Sequence, residues 1–312
     1  MNNKLFIKLF FCLSLISSIV LFYLSFLGYS NDKLAKYSEE RVEQSKNEKS
    51  EIVFVGDSSL KYGLDEKYFS TLLNKSVSNL ALTAGAHNIS ATFNMIRNII
   101  KNNDKIKYIV IMQNPSIWQY PFSDGGYCST LDNLSNEEVI AYKFLDNISC
   151  FKYKYMNLKS IKKAFKKEKK SRDEEETYKN GLLNINEELN NNKYIDYELI
   201  NSLKNKEFKM LDDYLQDKNV KVFYIQGTLH YDLYQKYSNV IDEQHKILRE
   251  FKNITFIEKY LYPINQNMGN AENHVHSSYK LESTKFFYEI LQKSETLEHS
   301  FQKYLNSVYT FI

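Results

Sequence analysis

Two short stretches, far apart in the chain, hold residue types that together could do nucleophilic chemistry. The first is Ile52-Val53-Phe54-Val55-Gly56-Asp57-Ser58-Ser59, an apolar β-branched run that ends in a turn-like tetrapeptide. Gly56 permits a tight turn there. It would leave Ser58 exposed at a sheet edge, near the start of the next helix, where backbone N–H groups can help stabilise an oxyanion. The second is Glu272-Asn273-His274-Val275-His276, just before an apolar helical pattern over Ser278–Leu291. An imidazole at either histidine can take the Ser58 proton and later return it to a leaving group or acceptor. The loops after three further strand-like runs carry Gly85, then Asn114 with Gln113 and Ser116 as competitors for the same role, then His230. His87 and His245 read as structural. No CxxC or His/Cys cluster suggests a metal site.

These residues need a scaffold that gathers them. Five β-branched or aromatic runs, Ile52-Val55, Val77-Leu80, Tyr108-Met112, Val220-Ile225 and Ile254-Ile257, are mostly separated by helical patterns. The clearest places Ile89, Phe93, Ile96 and Ile100 on one helix face. Leu199–Leu215 and Ile241–Phe251 are weaker versions. Strands alternating with helices pair in parallel through crossovers, which predicts an α/β fold, a three-layer α/β/α sandwich on a five-stranded parallel sheet. In such sheets ligand sites gather beyond the carboxyl ends of the strands. The candidate residues follow those ends.

The order Ser58, Gly85, Asn114, His on successive strand ends resembles the SGNH, or GDSL-type, hydrolase family, over about Ile52 to Leu291. The resemblance implies a flavodoxin-like sheet with Ser58 as nucleophile. It also implies an oxyanion hole built from the Ser58 and Gly85 N–H groups and the Asn114 side chain. It favours His274 over His276 as the base. The acid that the family usually carries three residues before the histidine is absent, since Ala271 precedes His274 and Asn273 precedes His276 at that spacing. Glu272 could orient the ring, Asn273 could replace the acid, or a Ser-His dyad could suffice.

Within the family, VFVGDSSLKYGLD and SNLALTAG look most like anchored proteins that modify bacterial surface polymers, of the alginate O-acetylation and teichoic-acid D-alanylation kinds. What that implies is acyl transfer to, or removal from, an extracytoplasmic glycan, without a cofactor. A membrane protein delivering acyl groups is an implied partner. Asp57, Trp118 and His230 are candidate substrate contacts, Trp118 with Tyr120, Phe122 and Tyr127 forming a carbohydrate platform or part of a core. The alternatives are a membrane-surface lipase or thioesterase, and a scaffold that keeps the fold without the chemistry.

The rest of the chain sets where such a domain would sit. Lys4 and Lys8 precede an apolar run from Leu9 to Leu27 without an A-x-A-like cleavage site, which reads as an uncleaved signal anchor with the domain outside. A cleaved signal peptide would give the same compartment. Residues 31–50 are charge-rich and read as a stalk. The catalytic domain would span residues 51–293, followed by an extension over 294–312. About a hundred residues separate the third and fourth runs, so an insertion of about 115–218 is expected, with Ser135-Asn136-Glu137-Glu138 starting a helix. Its basic stretch from Lys152, followed by Asp173–Glu176, reads as a solvated segment or as a surface for an anionic glycan or lipid headgroup. With a net charge of +3, it is not read as a nucleic-acid footprint. Cys128 and Cys150 could pair in an oxidising compartment.

Overall fold

The computed structural model describes residues 3–30, 33–83, 89–119, 124–131, 146–165, 202–257, 262–264, 269 and 271–293. Its centre is a parallel sheet of five strands in the order β2-β1-β3-β4-β6: β1 (Ile52–Gly56), β2 (Val77–Ala81), β3 (Tyr108–Gln113), β4 (Lys221–Gln226) and β6 (Ile254–Phe256). The register sets Gly56 beside Ala81 on one neighbour and Met112 on the other. All five strands lie where the apolar runs predict them. Two short strands, β5 (Leu229–His230) and β7 (Pro263–Ile264), pair separately beyond β4.

Strand residues alternate between two apolar layers, as a pleated sheet covered on both faces requires. Val53, Val55, Ile109, Ile111, Val222 and Tyr224 face one layer. Helices α5 (Ile89–Asn102) and α9 (Ser202–Leu215) fill it with Phe93, Ile96, Ile99, Phe208 and Leu211. Ile52, Phe54, Val110, Met112 and Phe223 face the other, packed by α3 (Ser58–Gly63), α4 (Glu66–Leu73) and α12 (Lys280–Lys293). The remaining helices are α10 (Tyr231–Lys236) and α11 (Ser238–Leu248). The three-layer α/β/α sandwich is therefore the fold.

Helix α1 (Asn3–Ser30) is long and apolar enough to cross a bilayer. The segment after it departs from the expected stalk. Lys33–Asn47 is a helix, α2, that buries Ala35, Ser38, Val42 and Ser45 along one side and packs on α5 and on α6 (Asp124–Thr130). Two of those four residues are serines, so an apolar-stripe count passes over the face, although a serine is small enough for close helix approach. Tyr37 Oη donates to Ala81 O (2.8 Å) and Arg41 to Asn79 O (3.1 Å), tying α2 to the end of β2.

Between β3 and β4 the described part of the insertion comprises a 3₁₀ turn (Pro115–Gln119), α6, α7 (Asp146–Tyr155), α8 (Leu158–Ala164) and α9. Cys128 on α6 and Cys150 on α7 form a disulfide. The expected helix start at Ser135, the acidic run Asp173–Glu176 and the extension over 294–312 lie outside the described residues.

Gly56 explains why β1 must end as it does. Its role is close approach: a β-carbon there would lie 1.7 Å from the Met112 carbonyl oxygen on β3. Because the obstacle is backbone, Gly56→Ala must push β1 and β3 apart, at a cost of roughly 2–3 kcal/mol. We expect its thermal unfolding midpoint, followed by circular dichroism on the detergent-solubilised chain, to fall by several degrees; an unchanged midpoint would contradict this packing.

Candidate active site

Beyond the carboxyl ends of β1, β3 and β4, and the loop before α12, polar side chains meet. Asp57 leaves β1 in an extended conformation and caps α3, its Oδ1 accepting from Ser59 N (2.8 Å) and Ser59 Oγ (2.5 Å). Its Oδ2 accepts from Asn114 N (2.8 Å), at the end of β3. Asp57 is thus buried with both oxygens occupied. It organises the site rather than facing a substrate, which corrects the reading of Asp57 as a substrate contact.

Asn114 is also buried and fixed at both ends of its carboxamide. Oδ1 accepts from Ser116 N (2.8 Å), and Nδ2 donates to Thr228 O (2.7 Å) beyond β4. A primary amide has two N–H bonds, so one Nδ2 hydrogen remains beyond that contact. Gln113 turns the other way, its amide donating to Thr92 Oγ1 on α5 (3.1 Å).

From Thr228 the connections continue into the C-terminal loop. Thr228 Oγ1 donates to Asn273 O (2.5 Å), and His230 N to Glu272 O (2.8 Å). Asn273 Nδ2 then reaches Ser58 Oγ at 3.4 Å, joining residues 215 positions apart. Ser58 opens α3 and is buried, not exposed at the sheet edge as expected, because the Asn273 loop covers it. Asp57, Asn114, Thr228, Asn273 and Ser58 therefore form a closed circuit linking four segments.

The two candidate histidines differ in their surroundings. The His274 ring lies 4.1 Å from that of Tyr62 on α3, centroid to centroid, and its backbone closes a turn through His274 N to Ala271 O (3.0 Å) and Gly269 N to His274 O (2.7 Å). His276 Nδ1 is engaged by Ser278, at 2.6 Å to Oγ and 3.3 Å to N, capping the 3₁₀ turn Ser277–Tyr279. Among the described residues, Ser58 Oγ is hydrogen-bonded by Asn273 and by neither histidine. Glu272 is buried beside this loop.

Trp118 is a second correction. It is buried, stacks on Phe208 (4.9 Å) and donates Nε1–H to Tyr224 Oη (3.2 Å). Tyr127 is buried as well, beside the disulfide. Neither offers a face to a sugar; Tyr120 and Phe122 lie outside the described residues. So do Gly85 and His87. No sequence pattern marks Thr228, whose neutral side chain and carbonyl bridge Asn114 to Asn273.

His230, proposed as a substrate contact, is buried and caps α10 with Nδ1 accepting from Asp232 N (3.3 Å). Burial lowers its pKa from the usual value, against the opposing pull of Asp232.

No family model matches the chain, and no curated protein matches it. Among solved structures it is similar to one described as "a putative platelet activating factor from Streptococcus pneumonia", with 10% identity over 83% of this chain and 94% of that chain, at a TM-score of 0.42. A likeness at that level carries no argument about activity.

Two outcomes follow from these contacts. Asp57→Asn places a donor where Asn114 N–H or the Ser59 groups need an acceptor, at a cost of about 1–3 kcal/mol. Its unfolding midpoint should fall; a midpoint equal to wild type would mean the circuit is not structural. His230, with its folded pKa below the unfolded value near 6.5, binds fewer protons folded than unfolded. Its contribution is therefore full above about pH 6.5 and lost as pH falls from there towards the folded pKa. His230→Asn keeps a capping acceptor without titrating, so its midpoint should fall less than wild type between pH 7.5 and 5.5; equal falls would assign the effect elsewhere.

Proposed function

We propose that the chain is a serine acyl-transfer enzyme, with Ser58 as nucleophile and His274 as base, that moves an acyl group, acetyl in the simplest case, to or from an extracytoplasmic glycan. The single observation that carries this reading is the Asn273–Ser58 contact, which brings the histidine-bearing loop onto the serine at the carboxyl end of β1. In the reaction His274 takes the Ser58 proton as Oγ bonds to the acyl carbon. The tetrahedral intermediate collapses, the ester C–O bond breaks and His274 returns the proton to the departing oxygen. An acceptor hydroxyl, or water, then gives its proton to His274 as its oxygen bonds to the acyl carbon, the bond between the acyl carbon and Ser58 Oγ breaks, and His274 returns the proton to Oγ.

Asp57 caps α3 through Ser59 N–H rather than Ser58 N–H. Ser58 N–H, the second Nδ2 hydrogen of Asn114 and Gly85 N–H are the donors assigned to the oxyanion. The commitment of His276 Nδ1 to its own turn supports His274 as the base. Glu272, adjacent in sequence and buried, is the carboxylate assigned to orient the ring; its part is tested by Glu272→Gln.

Helix α1 supports a membrane anchor, and the Cys128–Cys150 disulfide supports a domain on the oxidising side. With Trp118 in the core, the glycan acceptor and a membrane acyl-donor partner rest on the family resemblance alone. One observation favours a second reading, a fold kept without its chemistry: the group on Ser58 Oγ is an amide that cannot accept a proton.

The full-length chain in detergent, given an acetyl ester and a serine-reactive phosphonate, separates the two. We expect hydrolysis and labelling, with Ser58→Ala and His274→Ala each reducing hydrolysis by about 10³-fold or more and His276→Gln close to wild type. Folded protein that neither hydrolyses nor labels would favour the non-catalytic reading.

A further inference from the structure

The basic stretch of the insertion does not stand free in solvent. Helices α7 and α8 lie against the last turns of α1. Phe22 of α1 stacks on Tyr155 at 4.7 Å and meets Phe151 at 6.0 Å, and Phe26 lies 5.7 Å from Tyr155. Ser25 Oγ accepts from Asn157 N (2.9 Å) and is within reach of Lys154 O (3.3 Å). A β-carbon on Gly28 would lie 1.7 Å from the Ser160 carbonyl oxygen, so α8 touches α1 backbone to backbone. The Cys128–Cys150 disulfide then joins α7 to α6 and, through it, to the domain.

This packing sets a depth. Along α1, the apolar side chains are exposed from Leu5 to Tyr23, and from Leu24 to Ser30 all but Phe26 (42% exposed) are buried or half-buried. At about 1.5 Å per residue, the exposed length is roughly 28 Å, close to the thickness of a bilayer's hydrocarbon core. The packing of α7 and α8 on α1 begins at Phe22, at the end of that length. On and beside this pair Ile148, Phe151, Met156, Leu158 and Phe165 are 49–72% exposed. Outside α1, five of the eight exposed large apolar side chains among the described residues lie on or beside these two short helices. Lys152 and Lys162 are exposed on the same pair, and Lys154 Nζ sits 5.3 Å from the Tyr29 ring. Exposed apolar side chains interspersed with lysines, on helices packed near the end of the exposed length of α1, have the chemistry of an interfacial helix on an anionic leaflet.

We propose that α7 and α8 are a second membrane element, lying in the outer-leaflet headgroup layer with Phe151, Met156, Leu158 and Phe165 at the acyl boundary and the lysines among anionic headgroups. This rests on the reading of α1 as a transmembrane anchor. Anchor and interfacial pair together hold the sheet at a fixed height above the bilayer, where α1 alone would leave it free to swing.

The test uses the full chain in vesicles of phosphatidylcholine and phosphatidylglycerol, with and without brominated acyl chains. Cys12, on the exposed part of α1, is the one free cysteine among the described residues. An environment-sensitive fluorophore on Cys12 reports the anchor, and the same fluorophore on Leu158→Cys in a Cys12→Ser background reports the pair. Lys209→Cys, at an exposed position on α9, reports the aqueous face. We expect brominated lipid to remove most of the emission at positions 12 and 158 and little at 209, with Met156→Cys repeating the result should Leu158→Cys fold poorly. Quenching at 12 without quenching at 158 would overturn the proposal and leave the anchor standing. A blue-shifted but unquenched probe at 158 would mean that protein, such as a second copy, covers the face, and would also overturn it. Quenching at neither position would remove the anchor and this inference together.

Discussion

The arrangement of the site depends on one buried carboxylate. Removing a carboxylate from water is costly unless hydrogen bonds replace its hydration. Asp57 has three, two from Ser59 and one from Asn114 N–H. Because they come from the start of α3 and the end of β3, satisfying Asp57 fixes the distance between the segments that carry the nucleophile candidate and the oxyanion candidate. Asn114 is then aimed at Thr228, Thr228 at Asn273, and Asn273 at Ser58. The position of the serine is therefore set around a circuit in which each buried polar group satisfies the next, and such circuits lose more than one contact when a member is removed. Gly56 makes the circuit possible, since only a residue without a β-carbon lets β1 reach the Met112 carbonyl at that height.

How legible this was in the sequence differs between sheet and site. Each strand of the central sheet is a short apolar run between polar turns, and the period-2 pleat buries residues on both faces, so hydrophobicity alone locates β1, β2, β3, β4 and β6. Helix α5 was equally plain, because Phe93 and Ile96 form a wide stripe. Helix α2 was not. Its buried side is half serine, and its attachment to the sheet runs through Tyr37 and Arg41, polar residues that a sequence pattern assigns to solvent.

The candidate site follows the same division. The placement of Asp57 and Ser58 at a strand end is legible, because an apolar run leads straight into them; the burial of Ser58 and the cap that Asp57 makes on Ser59 are not. Asn273 is less so, since its contact with Ser58 depends on a loop returning across the sheet from 215 residues away. Trp118 shows the opposite failure. An aromatic after a strand end can be a ligand platform or a core residue, and only the presence of Phe208 and Tyr224, from α9 and β4, decides for the core. Both depend on tertiary partners contributed from across the insertion.

The chemistry of the Asn273 contact bears on how the site would work. An amide N–H directed at Ser58 Oγ occupies a lone pair of the hydroxyl and leaves its proton to be donated elsewhere. It lowers the cost of charge on Oγ but removes no proton. A neighbouring acceptor is therefore required for attack, and His274 is the next residue in the chain, with its ring held beside Tyr62 on the helix that Ser58 opens. Catalytic hydrogen bonds are often long before substrate binds and tighten in the loaded complex. A short movement of the same loop that carries Asn273 would exchange one partner of Ser58 for the other while Asp57, Asn114 and Thr228 stayed fixed. On the proposed catalytic reading, the members of the circuit on the strand ends would keep their places, and the change would fall to the loop before α12.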